Sequence, residues 1–142
     1  MTGPDTDEAG YAVVDADGGT TVPADAIDQF PSEYEVLSEA LGLEQLHVNV
    51  WRYEPGDETA YHAHTEQEEL YYVLRGEFEL TLGDPGETET RTVGPGTFYA
   101  AGPTVGHGHR YLGDEEGVVL GFGAPGVDDA FLDPEVAIEE RD

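Results

Sequence analysis

The chain has 142 residues and a mass of 15.3 kDa, the size of one compact domain rather than of a two-domain enzyme with its own nucleotide module. Thirty-two Asp and Glu against five Arg and no Lys give a net charge of −27. That excludes charge-driven binding to nucleic acid or to an anionic membrane surface, both of which need clustered cations. With no Cys, disulfides, thiolate metal sites and Cys nucleophiles are also excluded.

In chain order, residues 1–10 read as a frayed start and Tyr11–Val14 as a short strand, followed by a turn at Asp15–Gly19. Ser32 with Glu35 forms a capping-box pattern and Gly42 a stop, which predicts a helix over Ser32–Leu41. From there the pattern alternates. Strands are predicted at Leu46–Tyr53, Glu69–Gly76, Glu77–Leu82, Glu89–Val93, Thr97–Ala101, Gly108–Leu112 and Val118–Phe122, separated by Gly and Pro. Leu132–Asp142, opened by Asp133-Pro134, reads as a short helix or a loose tail. Short strands at such intervals point to an all-β sandwich or barrel. The predicted organisation is a single domain over residues 1–142, with a core barrel at about 44–124, an N-terminal extension at 10–43 and a tail at 125–142.

The acids are spread evenly, with 11 in residues 1–45, 11 in 46–112 and 10 in 113–142. With 38% hydrophobic residues this is a folded protein with an acidic surface rather than a disordered acidic chain. Such a surface suits concentrated salt, where charge repulsion is screened, so a halophilic source is expected. The N-terminus, MTGPDTDEAG, has no apolar run, and no stretch approaches the roughly 20 apolar residues of a membrane span. A cytoplasmic location is expected.

Four of the five histidines fall in two windows. In the first, Gly56-DETAY-His62-Ala63-His64-TEQE-Glu69-LYYVLR-Gly76, His62 and His64 share a strand face, because residues i and i+2 point the same way. The next strand can add a carboxylate from Glu69, which shares parity with Tyr71 and Val73, or from its neighbour Glu68. Two imidazoles and a carboxylate form a set that binds Fe(II), Mn(II) and similar ions with positions left open. The second window, Gly94-Pro95-Gly96-TFYAAGPTVG-His107-Gly108-His109, can supply a third imidazole.

The first window resembles the cupin motif at every defined position: Gly, five residues, His-x-His, four residues, Glu, six residues, Gly. The second resembles the family's second motif, with Gly96 eleven residues before His107. It departs at Gly102-Pro103-Thr104, where the family has Pro-x-Gly, and at Tyr111, where the family has Asn. The resemblance covers residues 56–111 and implies a double-stranded β-helix, the jelly-roll barrel of small single-domain cupins. It also implies His62, His64, Glu69 and His107 as ligands of one divalent transition metal, with Fe, Mn, Ni, Cu, Co and Zn all acceptable in principle. The acidic composition adds the expectation of a halophilic archaeal member.

His109 has the parity of His107 and stands about 7 Å along the strand, which makes it a candidate pocket wall or proton-transfer group, or the ligand itself if the turn slips. Tyr71 and Tyr111 have the parity to face the cavity as substrate contacts; Trp51 is ambiguous between core and cavity. His47 lies outside both motifs, and Arg75 is too far from the metal end, at about 20 Å, to clamp a substrate. The expected function is a metal-dependent oxygenase or isomerase acting on a small organic molecule, with a non-catalytic metal- or ligand-binding module as the alternative. A homodimer is expected because small jelly rolls cover their sheet edges with a partner, here with Tyr11–Val14 as an element to exchange.

Overall fold

The structure is a computed structural model that describes residues 10–22, 33–127, 129–131 and 134–139. Its strands are β1 (Thr20–Val22), β2 (Glu33–Val36), β3 (His47–Tyr53), β4 (Glu58–His64), β5 (Glu68–Arg75) and β6 (Phe78–Leu82). They continue with β7 (Glu89–Val93), β8 (Phe98–Ala101), β9 (His107–Tyr111), β10 (Gly117–Ala124) and β11 (Ala130–Phe131), and a short helix, α1 (Pro134–Ile138), follows. Antiparallel pairing builds two sheets, β1-β2-β3-β10-β5-β8 and β11-β4-β9-β6-β7, stacked as a jelly roll.

The alternation that marked the strands also fills the space between the sheets. Tyr53, Trp51, Tyr71, Val73 and Val119 point inward from the first sheet and meet Phe78, Leu80 and Tyr111 from the second. This plug closes one end of the barrel and leaves the end lined by His62, His64 and His107 for polar groups. A second cluster lies outside the first sheet, where Leu37 covers Val50 and Val118, with Val14, Leu41, Val48 and Leu120 packed against it. The tight β5–β6 turn runs through Gly76, whose φ of +95° favours glycine and whose added Cβ would lie 2.6 Å from the Tyr111 ring.

Two expectations for the N-terminal region are corrected. Glu33–Val36, the front of the predicted helix, is strand β2, paired with β3 so that Tyr34 faces Trp51. The two rings stack at 4.1 Å and 23°. This cross-strand aromatic pair and a full ladder of backbone bonds outweigh a local capping signal, whose Ser32 lies outside the described residues. Only the back of that segment turns helically, with Leu41 N–H donating to Leu37 O at 3.0 Å before Gly42 ends the turn at φ +69°. Tyr11–Val14 is not a strand: Tyr11 and Val13 are 69% and 86% exposed, and the first ladder forms further on, at Thr20–Val22. At the other end, α1 begins at Pro134, where a fixed φ and a missing N–H cost a helix nothing.

Candidate metal centre

β4 carries His62 and His64 on one strand face, and its antiparallel partner β9 sets His107 directly opposite His62. The ladder shifts register between Thr59 and His62, so one extra residue of β4 bulges over Gly108. A Cβ at Gly108 would meet Thr59 O and Tyr61 N at 2.9 Å, which is why glycine stands there. The bulge lets Thr59 and His62 both face the interior although three positions separate them. Glu69 arrives from β5 in the facing sheet, so each sheet contributes to the cluster.

The four donor atoms lie within 4.8 Å of one another. Glu69 Oε1 is 2.7 Å from His107 Nε2, 2.9 Å from His64 Nε2 and 3.3 Å from His62 Nε2. His62, His64 and His107 are buried and Glu69 is nearly so. Glu68, the alternative carboxylate, is exposed on the outer face.

Each imidazole is held from behind. His62 Nδ1 is 2.7 Å from Ala60 O, and His107 Nδ1 is 2.9 Å from Val105 O. A carbonyl oxygen only accepts, so both Nδ1 atoms carry the proton, and in the neutral ring Nε2 is a lone pair aimed at the cluster. His64 Nδ1 donates in the same way to Asp129 Oδ1 at 2.7 Å, and its buried Nε2 is turned to the cluster, 2.9 Å from Glu69 Oε1. With all three rings neutral, three lone pairs and a carboxylate converge on one point, an arrangement of acceptors that a cation would satisfy. Burial pushes the Glu69 carboxyl up, but His107, His62 and His64 outweigh it and hold it well below the usual carboxylate range. Burial keeps His62 below its ordinary value, whereas at His64 the carboxylates of Glu69 and Asp129 overcome burial and raise it.

Asp129 went unread in the sequence. Its Oδ2 accepts from the backbone N–H groups of Glu66 at 2.6 Å and Gln67 at 2.9 Å, and from Thr65 Oγ1 at 3.3 Å. One carboxylate thus ties the β4–β5 turn to a metal-facing histidine. Nothing in the run VDDAF distinguishes it from the other surface acids; only the chain path past β10 brings it within reach.

Behind the cluster lies a buried polar stack. Tyr71 donates to Glu69 Oε1 at 2.7 Å and stacks on Tyr99 at 4.7 Å and 18°. The Tyr99 hydroxyl is hydrogen-bonded to His109 Nδ1, His109 Nε2 lies 2.5 Å from Tyr53 Oη, and that oxygen meets Thr59 Oγ1 at 2.6 Å. Burial, then the neighbouring His107 and His62, bring His109 down to about 3, so the ring is neutral. The structure places His109 in this stack, not on the wall of the cavity. Tyr111 lies in the core plug against Phe78 and is likewise off the cavity wall, because the barrel interior at that level is full. Tyr71 and Trp51 do line the cavity, as does His47. Arg75 is on the outer face, 3.2 Å from Glu116.

The turn that departs from the family pattern keeps its path. Thr104, where that pattern has glycine, takes φ +70°, and its N–H donates to His64 O at 2.6 Å. His107 therefore stays in register opposite His62 despite the substitution.

Above the cluster opens a cavity of about 370 Å³, bounded by Trp51, Asn49, Tyr71 and His47 and floored by Gly121 and Gly123 of β10. Among known proteins, the model of a family described as "Cupin domain" matches residues 49–122. No curated protein matches the sequence. Among solved structures, one from Acidithiobacillus ferrooxidans, provisionally named a sugar phosphate isomerase, is 30% identical over 66% of this chain and 58% of its own, with a TM-score of 0.58. An uncharacterised double-stranded β-helix protein from Klebsiella pneumoniae is 24% identical over 84% of this chain and 94% of its own, with a TM-score of 0.65. An oxalate oxidase solved with a substrate analogue, glycolate, has a TM-score of 0.69 at 15% identity, over 89% of this chain and 66% of its own.

Proposed function

The chain belongs to the cupin family, and on that premise we propose that it is a metal-dependent enzyme acting on a small organic molecule. His62, His64, Glu69 and His107 would hold one divalent transition metal ion. The observation that carries this reading is the convergence of three imidazole Nε2 atoms and a carboxylate on one point, with each ring held through its Nδ1. Three neutral imidazoles, one carboxylate and a divalent ion sum to +1, which a half-buried site tolerates. When bound, the ion supplies Lewis acidity and, if it is iron or manganese, electron transfer to or from O₂.

The residues of the chain have separable tasks. Asp129 fixes the tautomer and direction of His64, and the carbonyls of Ala60 and Val105 do the same for His62 and His107. Tyr71 holds the Glu69 carboxylate with a phenol whose own proton burial makes hard to remove. Trp51 and Tyr71 wall off the cavity from bulk water on two sides. Together these features favour an oxygenase or isomerase of the Fe(II) or Mn(II) type. A second reading, a non-catalytic metal- or ligand-binding module, is favoured by one observation: His109, the proton-transfer candidate, is sealed from the cavity by the stack it belongs to.

The test is metal content by mass spectrometry on protein kept in molar salt, for the wild type and for His62→Ala and His107→Ala. About one equivalent of a transition metal, lost in both variants, supports the site. A wild type that neither carries metal nor takes it up on reconstitution removes the reading. Turnover of a candidate substrate by the loaded protein separates enzyme from binding module.

We also propose a homodimer in a salt-rich cytoplasm. β8 is one edge of its sheet, and beside it Leu70, Leu74 and Phe98 are exposed on the outer face. A monomeric mass by sedimentation in high salt would remove the dimer. Among the described residues no helix is long and apolar enough to cross a membrane.

A further inference from the structure

We infer that the cavity selects a planar, uncharged or singly charged molecule with two neighbouring oxygens, and that it rejects dianions. This rests on the metal-centre reading and names the substrate class for it. Charge is the first argument. The proposed ion and its four ligands sum to +1, and the Asp129 carboxylate on His64 brings the local sum to zero. A singly charged ligand is therefore tolerable, whereas the second charge of a dianion would need a cation in the wall. Neither Lys nor Arg lines it among the described residues, and its one possible cation outside the ligand set is His47. The chain has no Lys, and its four described arginines sit elsewhere, paired as Arg52 with Asp17, Arg75 with Glu116, Arg91 with Glu89 and Arg110 with Glu79.

Shape is the second. β10 presents glycine at both inward positions beside the cluster; the Gln67 amide lies over Gly123, and at Gly121 the floor of the cavity is bare backbone. A Cβ at Gly121 would lie 3.3 Å from Trp51 Nε1 and 3.4 Å from Tyr71 Cε1. The space over Gly121 is thus a slot between two aromatic side chains, one of them backed by the stacked ring of Tyr34. A flat molecule fills such a slot and keeps contact with both walls. An ion with four protein ligands keeps positions for two ligand oxygens, and Asn49 at the rim adds polar contact for a substituent.

The test uses the full chain loaded with Co(II) in molar NaCl, its cobalt content measured before and after each titration. Trp51 is the only Trp in the chain, so its emission reports the slot directly, and the Co(II) visible bands report the ion. Three probes are titrated: tropolone, planar and singly charged; glycolate, singly charged without a ring; and oxalate, doubly charged. Each affinity is taken relative to that for aqueous Co(II) in the same salt. The expected result is a preference for tropolone over oxalate at least tenfold greater than that of the free ion, with glycolate between. Gly121→Val should weaken tropolone at least tenfold with cobalt content unchanged, and Asn49→Arg should strengthen oxalate at least tenfold. Oxalate bound as well as tropolone on this scale would overturn the inference and leave the metal centre standing. Tropolone binding unchanged in a cobalt-loaded Gly121→Val protein, or oxalate binding unchanged in Asn49→Arg, would overturn it as well. Protein that holds no cobalt removes the metal-centre reading and this inference with it.

Discussion

His64 is the cluster member whose rear support is a side chain, and that makes its support removable. Asp129→Asn keeps an oxygen for the backbone N–H groups of Glu66 and Gln67 but puts a neutral amide against His64 Nδ1. Removal of an outer carboxylate of this kind typically costs 10–100-fold in metal affinity. The expected outcome is a loss in that range with little change in melting temperature, checked by competition with a chromophoric chelator. Unchanged affinity would mean that Asp129 only staples the turn. At this scale the sequence was legible where the donors are close in the chain. His62, His64 and Glu69 lie within eight residues; strand parity pairs the two histidines, and the resemblance to the cupin motif adds Glu69 rather than Glu68. Asp129 bonds His64 across 65 residues, a pairing that topology creates and no local spacing encodes. Parity also misplaced His109 and Tyr111. It gave the side they point to, but not that the stack under the cluster and the Phe78 plug already fill that side.

Two turns decide how the elements are held. Thr104 occupies a left-handed φ that costs a β-branched residue about 1–2 kcal/mol, part of which glycine returns through its greater freedom when unfolded. Thr104→Gly is therefore expected to stabilise the protein by roughly 0.5–1 kcal/mol, read from a urea midpoint shift at constant slope. Gly76→Ala is expected to do the opposite. The φ penalty of about 1–2 kcal/mol adds to a Cβ that would press on the Tyr111 ring at 2.6 Å, for a loss of roughly 2–4 kcal/mol in the same assay. A loss under about 0.5 kcal/mol would show that the β5–β6 turn rearranges freely. The strands from β3 onward were legible because each alternates between a filled interior and an outer face. β2 was not, because its four residues carry a helix-start signal and become a strand only when β3 offers Trp51 as a partner for Tyr34.

On the whole molecule, 32 acids face only five arginines, and the four that are described form surface pairs worth about 0–1 kcal/mol each. Such pairs cannot offset the mutual repulsion of the remaining acids. Screening can, since the Debye length falls from about 10 Å at 0.1 M to about 3 Å at 1 M. The melting temperature is expected to rise by roughly 10 °C between 0.1 and 2 M NaCl, equivalent to about 2–3 kcal/mol in a domain of this size. A flat profile in a calorimeter would mean that the acids are spaced widely enough not to repel. The even spread of acids and the acidic surface were legible from composition. How the arginines pair was not, since three of the four described pairs join residues at least 31 positions apart.

The position of Asp129 ties the far end of the chain to the centre. The loop after β10 and the two-residue β11 are anchored through this carboxylate and through Gln67, whose amide donates to Pro125 O and Val127 O. Whatever steadies His64 must then steady residues 125–127 and 129–131, and whatever loosens these must loosen His64 by an equal free energy, because coupling between two equilibria is reciprocal. The tail thus serves as a latch whose tightness reports occupancy. Amide hydrogen exchange at Glu66, Gln67 and Ala130 should slow when metal is added, and a ligand set that ignored the latch would leave those amides unchanged.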